Sequence, residues 1–268
     1  MSGSCGPKSV CDVPDDKPEG KCSNVRFQQS LYSSQNPTRR YLHQRRKQIL
    51  TDWIRTRGKG SRTLEIGIGG DVYGPCLREH SRTLYRLDME REYISHAKSS
   101  LPPSSREIFI VGDATALPFR AASFDLILIS EVIEHLPPQK SVQALRELKR
   151  VKCPSGTILL STPQKYSTIE TIGRFIFGTP LQKFANLFYS APTVKDTGHT
   201  NSLTQRALLA QFREADLRVL EKTLCGFYIP LLAELGGDLG ADIARFIEDR
   251  IRESFLGRIL WTQLYLLN

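Results

Sequence analysis

The chain has 268 residues, 40% of them hydrophobic and 24% charged, enough for one sizeable core with no need of a second domain. Its apolar runs fall short of the roughly 20 residues a membrane span needs. The opening segment has no apolar signal region, so a cytoplasmic protein is expected. Six cysteines without a C-x-x-C pair fit no common zinc pattern and read as free thiols.

Residues 1–37 are rich in Ser, Gly, Pro, Asp and Lys and poor in large apolar side chains, and read as a disordered tail ahead of one domain over 38–268. Thr38 to about Arg55 reads as a helix with Leu42, Ile49, Leu50, Trp53 and Ile54 on one face and arginines on the other, closed by Gly58 and Gly60. Residues 39–62 carry nine basic side chains against Asp52 alone, which suits contact with RNA or an anionic membrane surface, or a solvated helix face. Strand patterns follow at 62–67, 83–88, 107–112, 124–130, 156–162 and 217–224. Helical patterns lie at 74–80, 90–99, 139–151 and 203–214. Such alternation predicts a parallel sheet covered on both faces. Residues 165–197 interrupt it with Ile169, Ile172, Phe175, Phe184 and Phe188, read as an apolar lid or an added helical pair. An amphipathic helix around 238–255 and a strand at about 258–267 end the chain.

The first strand carries Glu65 and runs into Gly67, Gly69 and Gly70, a turn that lets a nucleotide-like ligand approach bare backbone. A dinucleotide fingerprint wants G-x-G-x-x-G, and the third glycine is missing. Asp88 ends the second strand, where a carboxylate can accept from both ribose hydroxyls. Asp113 and Ala114 follow the third strand, placed to meet an adenine edge.

Four stretches then carry a resemblance: Leu64–Asp71, Gly112–Phe119, Ser123–Leu136 and Arg150–Gln164. The chain resembles the class I S-adenosylmethionine-dependent methyltransferases of the type 11 kind, with local likeness to the O-methyltransferases of ubiquinone biosynthesis. The resemblance implies a Rossmann-like α/β fold, a seven-stranded mostly parallel sheet with helices on both faces and its last strand antiparallel. It implies that Glu65, Gly67 and Gly69 shape the methionine end of the cofactor, that Asp88 holds the ribose, and that Asp113 and Ala114 meet the adenine. Asp71 stands where the family usually has a glycine.

Glu131-Val-Ile-Glu134-His135 follows the fourth strand and faces the transferred methyl on this reading. Glu134 and His135 are the candidate catalytic pair. A Glu-x-x-Glu-His segment also resembles the divalent-metal site of some O-methyltransferases, which makes Glu131, Glu134, His135 and the later His199 candidate ligands. The expected function is methyl transfer from S-adenosylmethionine to a small acceptor, at a hydroxyl oxygen, with the apolar 165–197 segment suiting an apolar one. The alternatives are a metal-dependent RNA 2′-O-methyltransferase and a non-catalytic S-adenosylmethionine-binding protein.

Overall fold

The structure is a computed structural model that describes residues 22–102, 105, 107–169, 171–172 and 203–268. Its elements in chain order are α1 (Cys22–Tyr32), α2 (Pro37–Arg57), β1 (Ser61–Ile66), α3 (Gly74–His80), β2 (Ser81–Asp88), α4 (Arg91–Ser99), β3 (Glu107–Val111) and β4 (Phe124–Ser130). They continue with α5 (Pro138–Val151), β5 (Lys152–Pro163), α6 (Gln205–Glu214), β6 (Val219–Cys225), α7 (Pro230–Leu235), α8 (Gly237–Ile251) and β7 (Thr262–Leu267). The strands form one seven-stranded sheet in the order β3-β2-β1-β4-β5-β7-β6. Strands β1 to β5 pair parallel, and β7 runs antiparallel between β5 and β6. The strand order reverses between β1 and β4, which opens a crevice at their carboxyl ends.

Alternation along each strand fills two cores. Leu64, Ile66, Ile127, Ile129, Ile158 and Leu160 face Leu145 and Leu148 of α5 and Leu208 and Phe212 of α6. Leu126, Leu128 and Leu159 face Leu50, Trp53 and Ile54 of α2 and Leu77 of α3. Strand β4 is therefore buried on both sides, and each of Leu126, Ile127, Leu128 and Ile129 contributes about 1.5–3 kcal/mol relative to exposure, as an upper bound. Helix α2 starts where Asn36 Oδ1 accepts from the Arg39 N–H at 2.9 Å, with Pro37 in the first turn, and it stops at Gly58.

Three expectations change. The tail was expected to be disordered through residue 37, yet Cys22–Tyr32 is helical; residues 1–21 lie outside the described residues. The arginines of α2 do not all face water: Arg46 is buried, because α1 and Trp261 close over it. The amphipathic helix α8 buries Ala241, Ala244 and Glu248 rather than its larger apolar side chains, and Phe246 is 57% exposed. Glu248 is tolerated there because Gly226 N–H, Tyr41, Arg45 and Arg252 all donate to it. The lid expected over 165–197 lies, beyond Ile172, outside the described residues.

Candidate functional site

The glycine turn leaves β1 with Gly67 at φ +82° and Gly69 at φ +50°, backbone that side chains rarely adopt. The Gly67 N–H donates to Leu87 O at 2.9 Å and ties the turn to the end of β2. A Cβ on Gly67 would lie 2.3 Å from Val132 Cγ2, so space as well as φ demands glycine here. Asp88 locks the turn from below. Its Oδ2 accepts from Ile68 N–H at 2.7 Å and its Oδ1 from Glu90 N–H at 2.9 Å. Burial raises the Asp88 pKa against these backbone bonds, which lower it.

Glu65 is the last but one residue of β1, directly before the turn. It is buried, and its Oε2 accepts from Arg86 Nε at 2.6 Å. The parallel register of β1 and β2 sets the two side by side on one face of the sheet. Arg86 is fully buried and also pairs with Asp71 and Glu107. Burial pushes the Glu65 carboxyl up to about 7 despite the arginine, which lowers it. The departure at Asp71 is thereby explained: it adopts φ 59°, the conformation a glycine would take freely, and its carboxylate neutralises Arg86 under the turn. Glu65 thus braces the turn through Arg86 and Asp71, and its Oε1 is buried without a hydrogen-bond partner.

Asp113 follows β3, and its Oδ1 accepts from Thr115 N–H at 2.8 Å, which closes the turn that buries Ala114. Gly112 N–H donates to Asp88 O at 3.0 Å, so this turn sits directly beside the end of β2. Asp88, Asp113 and Ala114 are brought to one edge with Gly67 and Gly69.

Across the crevice, β4 ends in Glu131 at φ 56°. Its Oε1 accepts from Ser161 Oγ at 2.9 Å, and its Oε2 lies 2.7 Å from Arg46 NH1. Arg46 NH2 donates to the Tyr32 hydroxyl at 2.9 Å, and its guanidinium lies over the Trp261 ring at 5.6 Å. His43 packs edge-on against Trp261, its Nδ1 buried without a hydrogen bond. Burial, reinforced by Arg46, pushes its pKa well below the usual imidazole range and keeps the ring neutral. Tyr73 is buried near Arg46 and Glu131. The sequence reading placed Arg46 in the basic segment facing an anionic partner, and singled out none of Tyr32, His43, Tyr73 and Trp261. They come from α1, α2 and the segments before α3 and β7, and only the fold assembles them.

Glu134 lies inside the fold, where its Oε2 accepts from Thr162 Oγ1 at 2.9 Å. Burial first, then the Glu131 carboxylate, push its pKa well above the ordinary range. His135 sits on the same short 3₁₀ turn, Ile133–His135, but is exposed. The metal reading does not fit this arrangement. Among the described residues no group of three or more His, Cys, Asp or Glu side chains could hold an ion. Arg46 supplies at Glu131 the positive charge a cation would, and would repel one. His199 lies outside the described residues.

Residues 64–160 match the family described as "Methyltransferase domain", of the type 11 kind. Over 156 residues the chain is 30% identical to the malonyl-[acyl-carrier protein] O-methyltransferase of Erwinia pyrifoliae, covering 55% of this chain and 54% of that one. Over 106 residues it is 29% identical to a ubiquinone biosynthesis O-methyltransferase of Coxiella burnetii, covering 39% and 44%. The chain thus spans about half the length of these curated relatives. The fold is that of the magnesium protoporphyrin IX methyltransferase of Synechocystis, with TM-score 0.57 and 13% identity over 92% of this chain and 94% of that one. The motif order and the sheet order thus agree with the methyltransferase domain that residues 64–160 match.

Proposed function

We propose that this chain transfers the methyl group of S-adenosylmethionine to a small-molecule acceptor, at a hydroxyl oxygen. The observation that carries the reading is the edge formed by Gly67, Gly69, Asp88, Asp113 and Ala114. The fit to the cofactor is supported by two features. Asp88 uses both carboxylate oxygens to fix backbone N–H groups, yet each carboxylate oxygen keeps a second lone pair for a ribose hydroxyl. The glycine turn presents backbone without Cβ atoms to a ligand. On this reading Asp88 holds the ribose, Ala114 and Asp113 meet the adenine, and the turn carries the methionine end. Bound S-adenosylmethionine supplies a methyl already activated by its sulfonium.

The chain's own work is then to align the acceptor and exclude water, catalysis by proximity and orientation. On this reading the acceptor edge lies at Glu131, His43, Tyr73 and Trp261, where aromatic rings stand beside the paired Glu131 carboxylate. Glu134 is poorly suited as a base, since it is fully buried and its Oε2 is engaged by Thr162. His43, a neutral imidazole with an unpaired nitrogen, is better suited to accept a hydroxyl's hydrogen bond. Oxygen as the methylated atom is supported by the two relatives, both of which are O-methyltransferases by name.

An RNA acceptor gains less support from the basic segment than its sequence suggested. Arg45, Arg46, Arg55 and Arg62 are each paired with an acid of this chain. Lys47, Arg57 and Lys59 remain exposed and could still meet an anionic surface. A screen with methyl-labelled S-adenosylmethionine and a panel of small phenols, alcohols and carboxylic acids tests the proposal. Label in an ether supports it. Binding of the donor with no transfer to any acceptor would instead favour a non-catalytic binding protein.

A further inference from the structure

We infer that α1 is a clasp over the cofactor turn, fastened there by Gln28 and Gln29. The inference rests on reading that turn as the S-adenosylmethionine site. Gln28 is seated so tightly on the turn that a Cβ on Gly69 would lie 2.2 Å from Gln28 Oε1. Its Nε2 donates to the Tyr93 hydroxyl at 3.3 Å. Tyr93 belongs to α4, and the Asp88 carboxylate is near enough to help burial raise the phenol's pKa. The amide of Gln28 therefore bridges Gly69 and the neighbourhood of the ribose acid. Gln29 Nε2 donates to Gly70 O at 3.1 Å and lies 3.0 Å from His96 Nε2 on α4. Helix α1 thus straddles the two elements that flank Asp88.

The fastening is light. Val25 is buried, but Phe27 is 44% exposed and Gln29 is exposed. The stretch of α1 over the turn is held by neutral side-chain hydrogen bonds and little apolar burial, while its far end is pinned through Tyr32 to Arg46; such a stretch opens far more often than the core it lies on. Ligand reaching Gly69 and Asp88 meets the Gln28 amide first. The helix lifts, the cofactor seats, and the helix closes again beside the filled site. The far end of the same helix carries Tyr32, which accepts from Arg46 at the acceptor edge, so one clasp touches both halves of the crevice.

The test is stopped-flow binding of S-adenosylhomocysteine to the full chain and to its Gln28→Ala/Gln29→Ala variant, in which alanine keeps the helix propensity high. Association and dissociation rates should both rise, each by about tenfold, while Kd moves by less than about threefold, as loss of weak contacts on a gate requires. Unchanged rates overturn the clasp. A rise in dissociation alone, with weaker binding, also overturns it and leaves the amides as plain contacts. Hydrogen exchange on the unaltered chain is the second arm: residues 22–32 should exchange more slowly once S-adenosylhomocysteine is bound, and equal exchange overturns the clasp even if the variant fails to fold. If the unaltered chain binds no S-adenosylhomocysteine, the cofactor reading itself falls. If it binds and neither rates nor exchange respond, the clasp alone falls.

Discussion

Arg46 and Glu131 join the helical cover to the sheet: the arginine of α2 reaches the first residue beyond β4 at 2.7 Å, with side-chain exposures of 6% and 20%. The pair explains two oddities at once. A buried arginine needs an acid, and Glu131 is held in a left-handed conformation that brings its carboxylate there.

Removing one partner strands the other. Arg46→Met should lower stability by about 3 kcal/mol, since it leaves Glu131 half-buried without its cation. The double change Arg46→Met with Glu131→Gln should recover part of the loss. Urea unfolding of the single and double variants measures this, and additive losses would mean the two residues are not coupled.

The folded chain should lose stability as pH rises through the range set by Glu65. Its carboxyl is pushed up to about 7 by burial, above the ordinary 4.5. Between those values the unfolded carboxylate has lost its proton while the folded one keeps it. The folded state binds more protons, so stability falls with rising pH and levels off above the folded pKa. Glu134, raised in the same direction, adds to the slope. Urea midpoints from pH 5 to 8 should fall for the unaltered chain and fall less for Glu65→Gln. A flat profile contradicts the assignment.

Two glycines with similar backbone should differ in what they tolerate. Gly60 has φ +70° and nothing within 4 Å of an added Cβ. Gly67 has φ +82° and Val132 Cγ2 at 2.3 Å. Gly60→Ala should cost only the backbone strain, about 1 kcal/mol. Gly67→Ala should cost that and the displacement of Val132, and should weaken cofactor binding as well. Thermal melts with and without S-adenosylhomocysteine separate the two effects. Equal losses would show that the turn has room the structure does not give it.

The glycine-turn half of the crevice was legible because its signals are local. A glycine turn after an apolar strand, and acids closing the next two strands, lie within a few residues of what they do. The acceptor half was not. Arg46 at a helix position reads as a solvated cation, and only Glu131, Tyr32 and Trp261 from distant elements bury it. Asp71 looked like a lapse from a glycine pattern until the register placed Arg86 beside Glu65, within its reach. Helix α1 was missed because its residues share the polar composition of the tail, and what orders it is contact with the turn rather than a periodic apolar face. Glu134 and His135 were correctly placed after β4, but the 3₁₀ turn sends one inward and the other to the surface.

The central claim is that the edge at Gly67, Gly69 and Asp88 holds S-adenosylmethionine. Titration calorimetry of S-adenosylmethionine into the unaltered chain and into Asp88→Ala tests it most directly. The unaltered chain should bind one equivalent, and Asp88→Ala should bind roughly tenfold or more weakly, as loss of a charged hydrogen-bond acceptor requires. No binding by the unaltered chain, or equal affinity in the two, would contradict it.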